Sequence, residues 1–248
     1  MGGTLIALSI SLMEKLGAGE NEWGSGEQLT RVVSLMQKVE ELRTRGVTTP
    51  DRLKSFLADE KEYKAAVDTI RVFSRGTTHV SVADRFGNCG SMTCSNGEGS
   101  GYFAPGTGVM LNNMMGEDDL HPDGFHSSPA GERVGSMMSP SLLMQGDRVK
   151  LVIGSGGSKR IRTAISQVLS QVVDFGRSLK SAVEAPRLYW DGDVTQVEPG
   201  FSEEAISELE KVVPVNVWDS QDVYFGGVHA VIPGECGGRG DKPLDCLF

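Results

Sequence analysis

One threonine inside this 248-residue chain is set among residues that suit nucleophilic chemistry. Thr77 follows Gly76 and opens the run Thr77-Thr78-His79-Val80-Ser81. If the chain were cut before Thr77, the new α-amine would titrate at about pH 7.7–8.0 and could accept the proton of the same residue's hydroxyl. Nucleophile and general base would then be one residue. The run also suits an ordinary β-strand, because β-branched side chains favour strands.

A glycine-rich turn is the second candidate. Gly154-Ser155-Gly156-Gly157-Ser158 follows an apolar strand pattern and precedes a helix pattern. Backbone N–H groups at such a turn, together with the helix dipole, favour negative charge and could hold the oxyanion of an acyl transfer. A phosphate-binding loop is disfavoured because the spacing from glycine to Gly-Lys-Ser/Thr is missing. A plain turn between a strand and a helix is the alternative.

Five motifs, in this order and at this spacing, resemble the γ-glutamyltranspeptidase family. They are Thr77-Thr78-His79, Leu111-Asn112-Asn113-Met114, Ser136-Met137-Met138-Ser139-Pro140, Gly154-Ser155-Gly156-Gly157-Ser158 and Ala185-Pro186-Arg187. Each motif alone is weak, and the five in register are specific. The resemblance covers almost the whole chain.

The resemblance implies an α+β fold of the N-terminal nucleophile hydrolase class, an αββα sandwich with two stacked sheets between layers of helices. Residues 1–76 are similar to the helical C-terminal part of the family's large subunit, and residues 77–248 to its catalytic small subunit. The fold is therefore expected in part, without the upstream portion of the large subunit. Self-cleavage is implied between Gly76 and Thr77, and glycine tolerates the strained backbone that this attack requires.

The resemblance also assigns catalytic roles. Thr77 is similar to the family's nucleophile, and the backbone amides of Gly157 and Ser158 match its oxyanion donors. The family often has proline where Gly156 stands and glycine where Ser158 stands, although amide donation does not depend on the side chain.

Further positions match substrate-binding residues of the family. Glu117 stands where an acidic residue faces the α-ammonium of a γ-glutamyl group, and Ser136 matches the first of two serines that hold its α-carboxylate. The second of these serines is Met137 here. Ser95 matches a hydroxyl residue that supports the nucleophile, and the adjacent Asn96 is expected to line the site.

Other interpretations of these polar residues remain open or are disfavoured. The run Glu117-Asp118-Asp119, taken alone, is typical of a solvated loop. His121 and His126 could be imagined as metal ligands with Asp118 or Asp119, but their spacing fits no helical i, i+4 pair and no Cys-x-x-Cys accompanies them. We expect no metal and no cofactor.

The activity that the resemblance implies is hydrolysis or transfer of the γ-glutamyl group of glutathione-like amides, with water, an amino acid or a peptide as acceptor. One alternative on the same fold is an acylase for other amides such as glutaryl side chains, which Met137 favours if it makes the site less polar. Another is a truncated, inactive chain that acts only as an assembly partner. The family's carboxylate-binding arginine belongs to the large-subunit portion, so that missing portion is an expected partner.

Composition restricts the remaining classes. With 39% hydrophobic and 23% charged residues, the chain is typical of a globular protein. The net charge of −9 arises after Thr77, which argues against nucleic-acid partners. No apolar run is long enough for a membrane span, and Met1 is not followed by the basic region of a signal peptide. The resemblance implies a periplasmic or extracellular protein whose signal would lie upstream.

The spacing of apolar residues predicts helices before Thr77 and mainly strands after it. Helices are expected at 5–16 and 29–42, with a third from Thr49-Pro50 and a fourth at 63–70. Later patterns predict two hairpins with turns at 84–88 and 145–147, and helices at 159–174 and 202–211. The lack of regular βαβ alternation favours a layered α+β fold.

Overall fold

The computed structural model describes residues 1–15, 23–58, 77–97, 99–121, 123–232 and 235–238. Its helices are α1 (Gly2–Lys15), α2 (Gly26–Thr44), α3 (Pro50–Ala58), α4 (Arg160–Val173), α5 (Leu179–Glu184) and α6 (Glu203–Glu210). Its strands are β1 (Thr77–Ala83), β2 (Cys89–Ser95), β3 (Ser141–Gln145), β4 (Arg148–Gly156), β5 (Leu188–Trp190), β6 (Thr195–Val197), β7 (Val215–Val217), β8 (Gly227–Ile232) and β9 (Glu235–Gly238). The helix predicted at 63–70 lies outside the described residues.

Two stacked sheets form the centre of the fold. The β1–β2 hairpin packs against β4 and β8 of an antiparallel sheet with the order β3-β4-β8-β9. Helices α4 and α5 lie against this second sheet. The stretch 151–155 of β4 is continuously buried because the strand is covered on both faces. The predicted layered α+β fold is confirmed, as are both predicted hairpins.

Helix α2 connects two hydrophobic cores. Leu35, Val39 and Leu42 enter the core between α1, β4, β8 and α4. Leu29 and Val32 enter a smaller core with β5, β6 and α6. Elements from both sides of Thr77 therefore share both cores, and the division into residues 1–76 and 77–248 stays a prediction. No helix among the described residues is both long and apolar enough to cross a membrane.

The hairpin that begins at Thr77 directs its polar side chains inward. His79 is buried, and Ser81 is half-buried, toward the second sheet. Val80, Val82 and Met92 lie on the outer face and are 45%, 54% and 58% exposed. This polarity is the reverse of an ordinary hairpin over an apolar core, in which the apolar face is the buried one.

Candidate active site

Hairpin register brings two hydroxyl groups together at the start of β1. Thr77 pairs directly with Ser95, the last residue of β2. Residues opposite each other in an antiparallel ladder share a face of the sheet, and the Thr77 hydroxyl donates a hydrogen bond to the Ser95 hydroxyl at 3.1 Å. The Ser95 hydroxyl also accepts from the Gly97 amide at 3.1 Å, which fixes its position. Gly76 lies outside the described residues.

The glycine-rich turn passes close to Thr77. A Cβ atom on Gly156 would lie 2.7 Å from the Thr77 carbonyl oxygen and 3.6 Å from its Cβ. The absence of a side chain at Gly156 permits this approach. The structure therefore joins two candidate features that are far apart in the sequence.

Gly157 and Ser158 carry the chain from β4 into α4 with positive φ angles of 121° and 51°. Their carbonyl oxygens accept from the amides of Arg160 and Ile161 at 3.0 and 3.1 Å. Neither of their own amides donates a hydrogen bond to another described residue. These two N–H groups stand at the start of α4, where the helix dipole also favours negative charge.

Gly226 packs against the glycine-rich turn, and Arg187 holds Gly226 in place. A Cβ atom on Gly157 would lie 3.0 Å from the Gly226 Cα. The Gly226 carbonyl accepts a hydrogen bond from Nη1 of Arg187 at 2.6 Å, and Arg187 is fully buried. The sequence singled out the Ala185-Pro186-Arg187 motif without a role for it, and the structure connects this arginine to the glycine turn.

The loop after β2 brings an acidic side chain into the same corner. The Asn113 amide donates to the Asn96 carbonyl at 3.0 Å, so the chain folds back on itself. A Cβ atom on Gly97 would lie 3.2 Å from Oε1 of Glu117. Because the Gly97 amide also donates to the Ser95 hydroxyl, the Glu117 carboxylate and the Thr77–Ser95 pair both lie close to this glycine.

Ser136 makes its hydrogen bonds within its own loop and to the start of α1. Its hydroxyl accepts from the Met138 amide at 3.0 Å, and its carbonyl accepts from the Gly2 amide at 3.0 Å. Within the described parts of the chain, no hydrogen bond links Ser136 to the other candidate residues. Met137 is buried, with its sulfur 3.9 Å from Nη1 of Arg162.

The buried side chains of Arg43, Asp119 and Arg162 form a charge cluster with the half-buried Glu40. Glu40 pairs with Arg43 at 2.9 Å and with Arg162. Burial alone would raise the pKa of Glu40, but the positive charges of Arg162 and Arg43 lower it to about 2. Asp119 accepts a hydrogen bond from the Ser158 hydroxyl at 3.1 Å. The cluster thus connects α2 to the candidate oxyanion turn.

His79 anchors β1 two residues after Thr77. Its ring nitrogens lie 2.7 Å from the Thr93 hydroxyl and 2.8 Å from the Ser81 hydroxyl. Burial, with a smaller contribution from His229, lowers the pKa of His79 to about 4. A neutral imidazole with hydrogen-bond partners at both ring nitrogens therefore fixes the strand that presents Thr77.

Comparison with known proteins identifies this arrangement. The sequence model described as gamma-glutamyltranspeptidase matches residues 18–238. The chain belongs to the gamma-glutamyltranspeptidase family. This membership agrees with the resemblance that the five motifs carry and with the position of the glycine turn beside Thr77.

Curated members of the gamma-glutamyltranspeptidase family include hydrolases and acylases. The chain is 35% identical over 136 residues to a glutathione hydrolase proenzyme of Bacillus subtilis (strain 168), covering 54% of this chain and 23% of the relative. It is 34% identical over 162 residues to the Acylase ACY 1 proenzyme of Pseudomonas sp. (strain V22), covering 61% and 29%. The chain therefore spans less than a third of the length of these relatives.

A solved structure extends the likeness to the segment before Thr77. Cephalosporin acylase from Bacillus halodurans superposes with a TM-score of 0.72 over 93% of this chain and 45% of its own, at 22% identity. At this identity the likeness concerns the fold alone. The predicted fold, an N-terminal nucleophile hydrolase represented in part, is confirmed.

Two residues beside the family's motifs have structural roles that the sequence pattern did not indicate. Gly226 follows an apolar segment, and only its position against Gly157 reveals a role. Asp119 stands in an acidic run that is typical of a solvated loop, yet it is only 3% exposed. The sequence did contain one signal for a partner of Ser158. The family often has glycine at this position, so a residue with a Cβ atom there requires local support.

Proposed function

We propose that this chain carries the catalytic part of an enzyme that hydrolyses or transfers the γ-glutamyl group of glutathione-like amides. The observation that carries the proposal is the Thr77–Ser95 hydroxyl contact beside the Gly156 turn. It supports the proposal because acyl transfer requires a fixed nucleophile and oxyanion donors in one place. Membership of the gamma-glutamyltranspeptidase family supports the substrate class.

Thr77 acts as nucleophile and base in the proposed reaction. Its Oγ1 bonds to the γ-carbonyl carbon of the donor while its proton passes to the free α-amine of the same residue. The carbon–nitrogen bond then breaks, and the leaving amine takes this proton. Water or the amine of an acceptor next attacks the γ-glutamyl ester, and the proton that it loses returns through the α-amine to the Thr77 oxygen.

The amides of Gly157 and Ser158 hold the oxyanion in both tetrahedral intermediates. Their N–H groups lie at the start of α4 without a hydrogen-bond partner in the described part of the chain, which supports this role. In other enzymes the loss of one such donor lowers kcat by about 10²–10³-fold.

The remaining candidate residues bind the substrate in the proposed reaction. Glu117 binds the α-ammonium of the γ-glutamyl group, Ser136 contributes to the α-carboxylate site, and Asn96 lines the pocket with Ser95. The position of the Glu117 carboxylate beside Gly97 supports the first assignment. Ser136 is proposed from the family's motif, and its hydroxyl remains able to donate because it only accepts from the Met138 amide.

Self-cleavage between Gly76 and Thr77 produces the active N-terminus. The Thr77 hydroxyl attacks the Gly76 carbonyl carbon, the peptide carbon–nitrogen bond breaks, and the hydroxyl proton ends on the freed amine. Water then hydrolyses the resulting ester. Proenzyme forms among the curated relatives support this step.

We further propose a large-subunit portion as partner. The outer face of the β1–β2 hairpin, with Val80, Val82 and Met92, is about half exposed, and apolar surface of this kind favours a protein contact. A covering portion would supply the carboxylate-binding arginine that the family places in its large subunit.

An acylase for other amides is the second candidate, favoured by the 34% identity to Acylase ACY 1 proenzyme. Met137 gives it less support than its sequence position suggests. The side chain is 3% exposed and lies in the hydrophobic core against Arg162, so it does not make the substrate surface less polar.

Intact-mass analysis and a donor panel test the proposal. The 26.6 kDa chain should yield a fragment that begins at Thr77 and should release γ-glutamyl groups from glutathione in preference to glutaryl groups from glutaryl amides. Thr77→Ala should abolish both reactions. Thr78→Ala is the matched control, since Thr78 points to the exposed outer face of the same strand.

Three results would contradict the proposal. Preference for glutaryl amides would favour the acylase. A chain that stays at 26.6 kDa without turnover, even with a large-subunit portion supplied, would indicate an inactive assembly partner. Turnover that persists in Thr77→Ala would exclude the proposed nucleophile.

A further inference from the structure

Asp119 connects the loop of Glu117 to the oxyanion turn. It stands two residues after Glu117, in a 3-10 helix (Asp118–Leu120) whose Leu120 amide donates to the Glu117 carbonyl at 3.1 Å. Its Oδ2 accepts a hydrogen bond from the Ser158 hydroxyl at 3.1 Å. Asp119 is 3% exposed and Ser158 is 5% exposed, so solvent does not compete for this bond.

Ser158 adopts a backbone conformation that needs support. Its φ of 51° lies in the left-handed region, which residues with a Cβ atom rarely adopt. Among the described residues, only His126 and Ser158 combine a positive φ with a side chain. The bond from the Ser158 hydroxyl to a buried carboxylate holds the residue in this conformation, and the direction of the Ser158 amide follows from the backbone angles.

The neighbouring charge cluster explains why a carboxylate is stable at this position. Burial opposes the charged form of Arg43, but Glu40, and to a lesser degree Asp119, raise its pKa above the ordinary value. Nη1 of Arg43 is buried and without a hydrogen-bond partner among the described residues. A buried carboxylate beside this guanidinium is compensated electrostatically.

We propose that Asp119 is a positioning residue for the reaction. Its carboxylate holds Ser158 in the left-handed conformation, and this directs the Ser158 amide to the developing oxyanion. The inference rests on the proposed function, since it assigns the Ser158 amide to the oxyanion. It also connects substrate binding to the oxyanion donors. Asp119, which orients the Ser158 amide, stands two positions after Glu117, which binds the donor's ammonium in the proposed function.

A mutant cycle between Asp119 and Ser158 tests the inference in the full chain with glutathione as donor. Asp119→Ala should lower kcat by about 10–100-fold with KM changed less than about threefold, since a misdirected donor is lost mainly in the transition state. Asp119→Asn keeps an acceptor oxygen and should restore at least part of kcat. In a Ser158→Gly background, where glycine adopts positive φ without a side-chain bond, the same Asp119→Ala change should lower kcat by less than about threefold.

Equal losses of kcat in both backgrounds would overturn the inference and assign Asp119 a purely structural role. Thermal unfolding of the unmodified chain, Asp119→Ala, Ser158→Gly and the double variant gives an independent measurement. Asp119→Ala should lower Tm by more with Ser158 present than in the Ser158→Gly background, and equal shifts would contradict the Asp119–Ser158 coupling. If the unmodified chain shows no turnover even with a large-subunit portion supplied, the proposed function fails, and the unfolding cycle alone then decides whether Asp119 holds Ser158.

Discussion

The imidazole of His79 occupies the space directly over Gly154, where a Cβ atom would overlap the ring. This contact joins the strand that presents Thr77 to the strand that leads into the oxyanion turn. A glycine at this point of β4 leaves room for the buried histidine between the two sheets. The distance between the proposed nucleophile and the proposed oxyanion donors therefore depends on a residue pair that takes no part in the proposed chemistry.

Gly154→Ala should destabilise the protein and reduce turnover. The new methyl group would displace the His79 ring and with it β1, and overpacking of this kind typically lowers the free energy of unfolding by about 1–3 kcal/mol. Thermal unfolding and the rate of glutathione hydrolysis measure the two effects. Gly3→Ala is the control, because a Cβ atom there meets nothing within 4 Å and the residue lies in α1. If Gly154→Ala unfolds at or above the temperature of this control, the packing argument is wrong.

Ser95→Ala should lower kcat by about tenfold while leaving the fold intact. The variant removes the hydroxyl that accepts from Thr77, so the nucleophile loses its fixed rotamer. Steady-state kinetics with glutathione measures the effect.

Ser91→Ala provides the matched comparison for Ser95→Ala in the same strand. The Ser91 hydroxyl donates to the Ile153 carbonyl at 3.2 Å, away from Thr77. Ser95→Ala loses the bonds from the Thr77 hydroxyl and the Gly97 amide, and Ser91→Ala loses one bond. Each bond is equivalent to about 1 kcal/mol of stability, but only Ser95→Ala should lose turnover. Similar kinetics in the two variants would show that Ser95 has no special relationship to Thr77.

Long periodic elements of this fold could be predicted from the sequence, whereas the shortest could not. Helix α2 extends over 19 residues, and its apolar spacing at 29–42 predicts most of this length. Helix α3 begins at Pro50, as the Thr49-Pro50 pair predicts. The strands β5, β6 and β7 have three residues each, too few to show a period of two. Their sheet depends on packing against α2 and α6, which no local pattern encodes.

The candidate site likewise has one part that the sequence predicts and one part that it does not. The Thr77–Ser95 pair could be predicted because a hairpin brings nearby residues together and the motifs resemble a known family. The burial of Asp119 could not, since the residues that compensate it, Arg43 and Ser158, come from distant elements. An acidic run has the same appearance in a sequence whether it faces solvent or a buried guanidinium.

Glu117→Gln should discriminate between donors. The substitution keeps the shape of the side chain and removes the charge, so KM for glutathione should rise by about 10–100-fold, as expected for the loss of an ion-paired hydrogen bond. A glutaryl amide, which has no α-ammonium, should be processed at an unchanged rate. Glu132→Gln on an exposed loop is the control. An equal effect on both donors would place Glu117 outside the ammonium site.

Acid should destabilise the protein before most carboxylates titrate. The pKa of His79 is lowered to about 4 in the folded state, mainly by burial, and burial lowers that of His229 in the same direction. Between about pH 6.5 and pH 4 the unfolded chain binds protons that the folded chain does not, so stability is complete above this window and falls as the pH decreases through it. His79 alone could account for a loss of up to about 3 kcal/mol. Glu40, whose pKa is lowered to about 2, loses its contribution only at more acidic pH.

Thermal unfolding between pH 7.5 and pH 5 measures this effect, and two histidine variants assign it. His79→Gln should have a lower Tm at neutral pH, because the bonds to Thr93 and Ser81 are weakened, but a smaller further decrease toward pH 5. His126 is exposed and has a φ of 64°, a conformation that asparagine tolerates, so His126→Asn should keep the acid sensitivity of the unmodified protein. An acid transition that is unchanged in His79→Gln would show that His79 is not the group whose protonation destabilises the protein.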